Sequence, residues 1–229
     1  MNILLKEISH LFFPKTCVAC GEKLLPSEEG ICLSCLLKLP KTDNFKEPGN
    51  RAEILLAGRF PFERAASFCV FTSEGMLQPI IHQLKYNSRK ELGVALGRLY
   101  GNDLIGSDFL KPIDALVPVP LHPKKEKKRG YNQSEMIARG ISEVTGLPVS
   151  STSLIRRISN PTQTKKSKNQ RWENVDGIFA LKNPPDFASK HVLLIDDIIT
   201  TGSTLEACAN ALLECPDIRI SIATIGEVL

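Results

Sequence analysis

The sequence predicts an α/β fold, in which a parallel sheet is flanked by helices and preceded by a small cysteine-containing module. Three observations lead to this prediction. Short apolar segments alternate with amphipathic helical segments from Ala66 onward, which is the pattern of strands joined by helical crossovers. The run Val192–Ile195 is apolar at every position, as expected of a strand buried on both faces. Two Cys-x2-Cys pairs lie close together near the start of the chain.

The length of 229 residues suits one medium domain with a small additional module. We expect a short helix and the cysteine module in residues 1–45, and the larger domain in residues 59–229. Residues 46–58 read as a linker, because Pro48-Gly49-Asn50 signals a turn. In the short helix the apolar residues share one face; they are Leu4, Leu5, Ile8, Leu11 and Phe12.

The larger domain is predicted to alternate strands and helices. The expected strands are Ala66–Phe71, Ile113–Val119, His191–Ile195 and Ile218–Ile225. The expected helices are Met76–Tyr86, Leu92–Leu104, Ser134–Val144 and Thr204–Leu213. Residues 159–174 are polar, basic and without periodicity, which indicates either a functional loop or disorder.

Composition favours an ordinary globular protein, with 42% hydrophobic and 24% charged residues. The net charge is only +4, but residues 123–171 contain 12 Lys and Arg against 3 Glu. Such a basic stretch favours an anionic partner, either a phosphorylated small molecule or nucleic acid; a solvated basic surface is the alternative. No run of roughly 18 apolar residues predicts a membrane span. Charged and polar residues interrupt any secretory signal near the start, so we expect the cytoplasm.

The cysteine cluster predicts a structural zinc site. Cys17-x2-Cys20 and Cys32-x2-Cys35 are separated by 11 residues, and two such pairs can surround one tetrahedral Zn²⁺. Gly21 suits the tight turn after the first pair. Disulfides are disfavoured in a cytosolic chain, and an iron–sulfur cluster is less favoured still. The other three cysteines, Cys69, Cys208 and Cys215, are expected to be buried as small apolar residues.

The most informative segment follows the apolar strand His191–Ile195. Two acids, Asp196 and Asp197, are followed by a short loop and a helix; the loop reads Ile198-Ile199-Thr200-Thr201-Gly202-Ser203-Thr204. In open α/β sheets ligands bind beyond the carboxyl ends of the strands, where this loop is expected. Gly202 permits close approach of a ligand, and a helix N-terminus favours a phosphate group.

Two adjacent carboxylates beside a phosphate loop indicate a ligand that also presents hydroxyl groups or a metal ion. A ribose 5-phosphate does so, because its hydroxyls can donate to Asp196 and Asp197 while its phosphate reaches the helix N-terminus. Mg²⁺ on the ribose hydroxyls and a diphosphate would offset the acidic charge. Other phosphate-binding motifs, the P-loop and Gly-x-Gly-x-x-Gly, are absent from the sequence. Capping of the helix alone would explain one acid but explains two poorly.

An apolar strand, two acids and a Thr-Thr-Gly loop resemble the fingerprint of the type I phosphoribosyltransferases. The sequence more closely resembles the ComF family, and this resemblance covers most of the chain. The additional matches are Val117-Pro118-Val119-Pro120-Leu121-His122, Arg129-Gly130-Tyr131-Asn132-Gln133, Gln163, Gln170-Arg171, Asn174-Val175 and Phe179. Ile199 departs from the Tyr that relatives often carry, and Lys166 from Leu.

The resemblance implies a type I phosphoribosyltransferase fold with an N-terminal zinc ribbon that binds phosphoribosyl diphosphate with Mg²⁺. By position, Pro120 and Leu121 belong to the loop that holds the diphosphate, with Lys85 or Arg129 neutralising it. A mobile hood over the site corresponds to 159–174 and contains Gln163, Arg171 and Asn174.

Two functions are therefore expected from the sequence. In the first, diphosphate is displaced from the ribose C1 by a nitrogen nucleophile, and Asp196 and Asp197 stabilise positive charge on the ribose. The family resemblance links this to DNA uptake and natural transformation, with single-stranded DNA and DNA-processing proteins as partners. In the second, the protein is a non-enzymatic single-stranded nucleic-acid-binding module with a vestigial or regulatory sugar-phosphate site. Basic residues between 124 and 171 would then grip phosphates, and Tyr131 or Trp172 would stack on bases.

Overall fold

The computed structural model of the protein describes residues 15–157, 178–182 and 184–229. The short helix expected over residues 4–12 and the hood residues Gln163, Arg171 and Asn174 lie outside these ranges. The α-helices are α1 Leu33–Leu37, α2 Arg51–Leu56, α3 Leu77–Tyr86, α4 Lys90–Leu104, α5 Pro123–Arg129, α6 Gln133–Thr145 and α7 Ser203–Leu212; two short 3-10 helices span Asn44–Lys46 and Pro184–Phe187. The strands are β1 Ala65–Phe71, β2 Ala115–Pro118, β3 Leu154–Arg156, β4 Phe179–Leu181, β5 His191–Ile199 and β6 Arg219–Val228.

Four of these strands form an all-parallel sheet in the order β1-β6-β5-β2, which confirms the predicted fold class. Because the strands are parallel, their carboxyl ends meet at one edge of the sheet. β3 and β4 pair separately as a short antiparallel hairpin. The ends of β1, β2 and β5 therefore converge where the sequence predicts the ligand.

Apolar clusters cover both faces of the sheet. Leu193 and Ile195 of β5 belong to the cluster formed with α3, α4, α6 and the cysteine module. Val192 and Leu194 belong to the cluster formed with α2, α7 and the hairpin. All four side chains are fully buried, as predicted for a central strand.

Helices α4 and α6 touch through glycines. A Cβ atom at Gly97 of α4 would overlap the carbonyl oxygen of Ile137 and lie 3.0 Å from the Cα atom of Gly140 on α6. A Cβ atom at Gly140 would in turn overlap the carbonyl oxygen of Val94. The two backbones can approach this closely only because neither glycine carries a side chain.

Residues 46–58, which the sequence indicated as a linker, contain helix α2. The side chain of Asn50 caps this helix by accepting a hydrogen bond from Glu53 N at 3.1 Å. The side-chain Nδ2 atom of Asn50 also donates to the carbonyl oxygen of Ala65 at the start of β1. Glu53 pairs with Arg64 at 2.6 Å, and Leu56 is fully buried. Helix α2 thus packs against the sheet instead of spanning a gap.

Segments outside the sheet pair with its two edge strands. At the β1 edge, Thr42 N donates to Phe68 O at 3.0 Å and Val70 N donates to Pro40 O at 2.8 Å. At the β2 edge, Leu116 N donates to Pro148 O at 2.9 Å and Ser150 N donates to Leu116 O at 2.8 Å. Both edge strands therefore have backbone partners on their outer sides.

Within the described ranges, no helix combines the length and the apolar character needed to cross a bilayer. Cys69, Cys208 and Cys215 are buried, which confirms the sequence prediction for these three thiols.

Candidate functional site

The acid pair lies inside β5 and not after it. Pairing with β6 continues through Asp196 to Ile199, so the strand is longer than the predicted His191–Ile195. Asp196 and Asp197 are nevertheless at the carboxyl edge of the sheet, and only 8% and 5% of their surfaces are exposed. Buried carboxylates need polar partners, and the structure supplies different ones to each.

Asp196 is held by two donors. Its Oδ1 atom accepts from the hydroxyl of Ser134 on α6 at 2.9 Å and from Asp197 N at 2.8 Å. Burial raises the pKa of Asp196 to about 7, and the neighbouring charge of Asp197 adds to this shift, while the two donors oppose it. Asp196 therefore holds a proton more tightly than an exposed aspartate does.

Asp197 faces a lysine. Its Oδ1 atom accepts from Ile198 N at 2.7 Å, and its Oδ2 atom lies 3.0 Å from Lys85 Nζ. The Lys85–Asp197 contact is an ion pair by distance, although Oδ2 lacks an aligned hydrogen bond. Lys85, predicted to neutralise a diphosphate, thus neutralises the acid in this structure.

Both acids line a cavity of about 380 Å³ at the carboxyl edge of the sheet. Its lining brings together most of the residues predicted from the sequence: Lys85, Pro120, Leu121, Asp196, Asp197, Ile198, Thr200 and Thr204. Two larger clefts lie beside the cysteine module and α4, but they contain neither the acid pair nor the threonine loop. The smaller cavity is therefore the candidate site.

The loop between β5 and α7 forms one wall of this cavity. Gly202 adopts a left-handed conformation with φ of 76° and immediately precedes α7, as its predicted turn role requires. Thr201 and Ser203 share a hydroxyl–hydroxyl hydrogen bond of 3.1 Å. Of the predicted loop residues, Ile198, Thr200 and Thr204 line the cavity, whereas Ile199, Thr201, Gly202 and Ser203 do not. The buried side chain of Ile199 packs with α7 in the other apolar cluster.

The loop after β2 forms another wall. Val119 N donates to Ile195 O at 2.8 Å, and Asn132 Nδ2 donates to Val119 O at 2.9 Å. These bonds fix the backbone that leads into Pro120 and Leu121. Arg129, which the resemblance assigned to the diphosphate, does not line the cavity; its guanidinium is bonded to the side-chain oxygen of Gln133, which does.

Sequence reasoning assigned no role to four residues that line the cavity: Phe71, Ile81, Gln133 and Arg156. Gln133 belongs to the segment 129–133, which was one of the matches in the family resemblance, so the sequence could have indicated its place in the site. Arg156 lies on β3 with its guanidinium carbon 5.4 Å from the centre of the Phe179 ring. Its place in the cavity depends on a hairpin that the periodicity did not predict.

Two aromatic residues were suggested for base stacking. Tyr131 is buried and its hydroxyl donates to Leu84 O, so the suggestion is wrong for this residue. Trp172 lies outside the described residues.

The four clustered cysteines form a compact group. One sulfur atom from each of Cys17, Cys20, Cys32 and Cys35 lies within 4.8 Å of the others. Gly21, with φ of 80°, directs its N–H to Cys17 O at 2.9 Å, which closes the predicted tight turn. This geometry fits a tetrahedral thiolate site.

The thiols differ in acidity. Burial opposes ionisation of Cys17, but the surrounding backbone N–H groups, led by that of Cys32, outweigh burial and lower its pKa to about 6. Burial and the neighbouring sulfur atoms raise the pKa of Cys35. Four crowded sulfurs ionise together only beside a cation, so the cluster suits a metal ion.

Comparison with known proteins agrees with this architecture. Residues 129–226 match a family model described as the phosphoribosyl transferase domain. The DNA utilization protein YhgH of Escherichia coli K12 is 30% identical over 215 residues, which span 89% of this chain and 92% of that protein. Competence protein F of Haemophilus influenzae is 25% identical over 211 residues, spanning 88% and 92%. Competence protein ComFC of Bacillus subtilis is 36% identical over 149 residues, spanning 63% and 57%.

Proposed function

Since this chain belongs to the ComF family of phosphoribosyltransferase-like proteins, we propose that it binds phosphoribosyl diphosphate at the carboxyl edge of its sheet. One observation carries the proposal. A buried acid pair, a threonine loop at a helix N-terminus and the loop after β2 line the same cavity of about 380 Å³. This cavity offers carboxylates for a diol beside hydroxyls and amides for a phosphate.

In this proposal, the ribose lies over β5. Asp196 and Asp197 accept hydrogen bonds from its hydroxyls, and the 5-phosphate binds to the loop of residues 198–204. Thr200 and Thr204 line the cavity and offer hydroxyl donors. The helix N-terminus that begins at Ser203 adds N–H groups without intrahelical partners, together with the positive end of the helix dipole.

The diphosphate extends toward Pro120 and Leu121. Lys85 lies within reach of this part of the cavity, although it now pairs with Asp197. Once ribose hydroxyls engage Asp197, Lys85 can turn to the diphosphate. The carboxylates fit the oxygen ligands that Mg²⁺ prefers, and when bound the ion would offset charge between the acids and the diphosphate.

The chemistry that this arrangement supports is phosphoribosyl transfer. The bond between C1 and the diphosphate oxygen breaks, diphosphate leaves with the bonding electrons, and a nitrogen nucleophile forms the new bond to C1. Asp196 and Asp197 would stabilise the oxocarbenium-like ribose. In this step the proton of the nitrogen nucleophile is released to solvent.

We propose that Cys17, Cys20, Cys32 and Cys35 hold a structural Zn²⁺. Four thiolates complete a tetrahedral shell and leave no open position for catalysis. The names of the relatives, DNA utilization and competence proteins, support a role in the handling of DNA during uptake.

A second candidate function is binding of single-stranded nucleic acid. Helix α5 exposes Lys124, Lys125, Lys127 and Lys128 directly after the loop that lines the cavity. Beside it, Tyr86 is 68% exposed and has the guanidinium carbon of Arg129 at 5.9 Å from its ring centre. Basic groups next to an exposed aromatic ring suit a phosphate backbone with stacked bases.

Calorimetric titration with phosphoribosyl diphosphate and Mg²⁺ tests the first function. We expect binding by the wild-type protein and about 10- to 100-fold weaker binding by Asp197→Asn, because a charged acceptor for a ribose hydroxyl is lost. Asp108→Asn removes an exposed carboxylate and is the control; its affinity should be unchanged.

The two functions are separated by activity and by nucleic-acid binding. An enzyme should release diphosphate from phosphoribosyl diphosphate when it is also offered a pool of nitrogenous bases. A nucleic-acid binder should retain DNA affinity in Asp197→Asn, with a steep dependence on salt. Wild-type protein that shows no heat with phosphoribosyl diphosphate would contradict the first function.

A further inference from the structure

Helix α2 packs directly against the loop that we propose to bind the 5-phosphate. A Cβ atom at Gly202 would lie 2.8 Å from Leu56 Cδ2, so Leu56 occupies the space that a side chain would need. Leu56 shares its apolar cluster with Ile199, which lies within the loop, and with Leu205, which directly follows it. The loop therefore packs against α2, a helix that precedes the whole sheet in the chain.

Arg59, just beyond α2, connects the same region to α7. Its Nη1 atom lies 3.0 Å from Oε2 of Glu206, and its Nε donates to Leu55 O at 3.2 Å. Nε also lies 3.7 Å from the Cβ position of Gly202. The guanidinium is thus fixed between the end of α2, the Gly202 turn and the first turn of α7.

Glu206 is an acid in the first turn of α7. A carboxylate there interacts favourably with the positive end of the helix dipole when no phosphate is bound. It repels a phosphate that binds at the same N-terminus. The ion pair with Arg59 cancels this repulsion. The two side chains are 35% and 31% exposed, so their pairing adds little to folding stability. Its larger effect is on the charge that a phosphate meets.

We propose that Arg59 is a positioning residue for phosphate binding: it acts through Glu206, whose charge it neutralises beside the N-terminus of α7. This role rests on the proposed function and extends it to a residue that does not line the cavity. It predicts that removal of Arg59 weakens binding of any ligand with a ribose 5-phosphate end. It also predicts that removal of Glu206 compensates for that loss.

Four proteins test this role: wild type, Arg59→Gln, Glu206→Gln and the double variant. Calorimetry with ribose 5-phosphate, and separately with phosphoribosyl diphosphate and Mg²⁺, should give about fivefold weaker binding for Arg59→Gln with both ligands, as expected for one uncompensated charge at a helix N-terminus. The double variant should return to within twofold of wild type. Arg51→Gln is the matched control, because Arg51 lies at the other end of α2 and donates to Val228 O; its affinity should not change.

Thermal unfolding of each variant separates positioning from folding. If Arg59→Gln fails to fold, Arg59→Lys, which keeps the positive charge, should fold and bind within twofold of wild type. Three results would each overturn the role. They are unchanged affinity in Arg59→Gln, no recovery of affinity in the double variant, and binding by Arg59→Lys that is fivefold weaker than that of wild type. Wild-type protein that binds neither ligand would overturn the proposed function as well, whereas normal wild-type binding with any of these results overturns the role of Arg59 alone.

Discussion

Asp196 shows how one residue in the cavity is set by its surroundings. The sequence identified the carboxylate, but its charge state follows from burial and from the charge of Asp197, which together raise its pKa to about 7. A ligand whose hydroxyls donate to the ionised form would lower this pKa again. Binding near neutral pH is therefore expected to release protons.

The raised pKa also makes folding stability depend on pH. Between the unfolded value of 3.8 and the folded value of about 7, the folded protein binds more protons than the unfolded chain. The contribution of Asp196 is therefore fully present below pH 4 and is lost as pH rises through 7. Asn cannot ionise, so Asp196→Asn should stabilise the protein relative to wild type more at high pH. The gain in the free energy of unfolding should be larger at pH 8 than at pH 5 by on the order of 2 kcal/mol.

Urea unfolding at both pH values measures this difference. Asp108→Asn, which removes an exposed carboxylate whose pKa is lowered by its hydrogen bond with Lys111, should give no gain at pH 8. An equal effect of Asp196→Asn at pH 5 and pH 8 would show that burial does not control this carboxyl group. The same substitution should weaken binding of phosphoribosyl diphosphate, so stability would rise as function falls.

The structural elements with clear periodicity were predicted well. Helix α4 was expected over Leu92–Leu104 and begins at Lys90. Strand β5 was predicted too short because the apolar pattern ends at Asp196. Its pairing with β6 continues, and Ser134, Lys85 and backbone N–H groups provide contacts for the buried acids. Such compensation comes from distant parts of the chain, and a periodicity argument contains no information about it.

Other elements had weaker signals. Helix α5 has no buried residue, so it lacks an apolar stripe. Its Pro123 in the first turn, the His122 cap and Gly130 at the end were nevertheless readable capping signals. β3 and β4 contain three residues each, which is too short for alternation to be recognised. For that reason Arg156 could not be assigned to the cavity.

Because α4 and α6 are in close contact, the addition of one methyl group at Gly97 is expected to destabilise the folded protein. In a helix Ala is normally favoured over Gly by about 1 kcal/mol. At Gly97 the new Cβ would overlap the carbonyl oxygen of Ile137, and backbone atoms cannot move aside as a flexible side chain can. Gly97→Ala should therefore lower the free energy of unfolding by about 1–3 kcal/mol.

Chemical denaturation with urea measures this loss. Asn102→Ala is the matched control, since Asn102 is exposed on the same helix and should be neutral or slightly stabilising. A gain in stability for Gly97→Ala would mean that the helices can separate without cost.

At the scale of the whole molecule, the cysteine module and the sheet share one core. Cys17, Leu24 and Ile31 lie in the same buried cluster as Leu92 and Tyr100. A Cβ atom at Gly30 would lie 2.5 Å from Leu92 Cδ2, so the module packs closely against α4. The module is therefore expected to unfold together with the larger domain.

Removal of the proposed Zn²⁺ tests this coupling. Without the ion, four thiols would remain crowded at the edge of the shared core, and the metal-binding energy that adds to folding would be lost. Chelation, or the substitution Cys20→Ser, should lower the melting temperature of one cooperative transition, measured by calorimetry together with zinc release. Two separate transitions, with the larger domain unaffected, would contradict this expectation.

The backbone partners on the outer sides of β1 and β2 have a consequence for solubility. An unpaired strand edge is a template on which a second chain can add a strand and begin to aggregate. Residues 40–42 block β1, and residues 148–150 block β2. A truncated chain that began at the larger domain would lose part of the shared core and would leave the backbone N–H and C=O groups at the edge of β1 open to other copies. The segment before the sheet thus guards against self-association as well as carrying the cysteines.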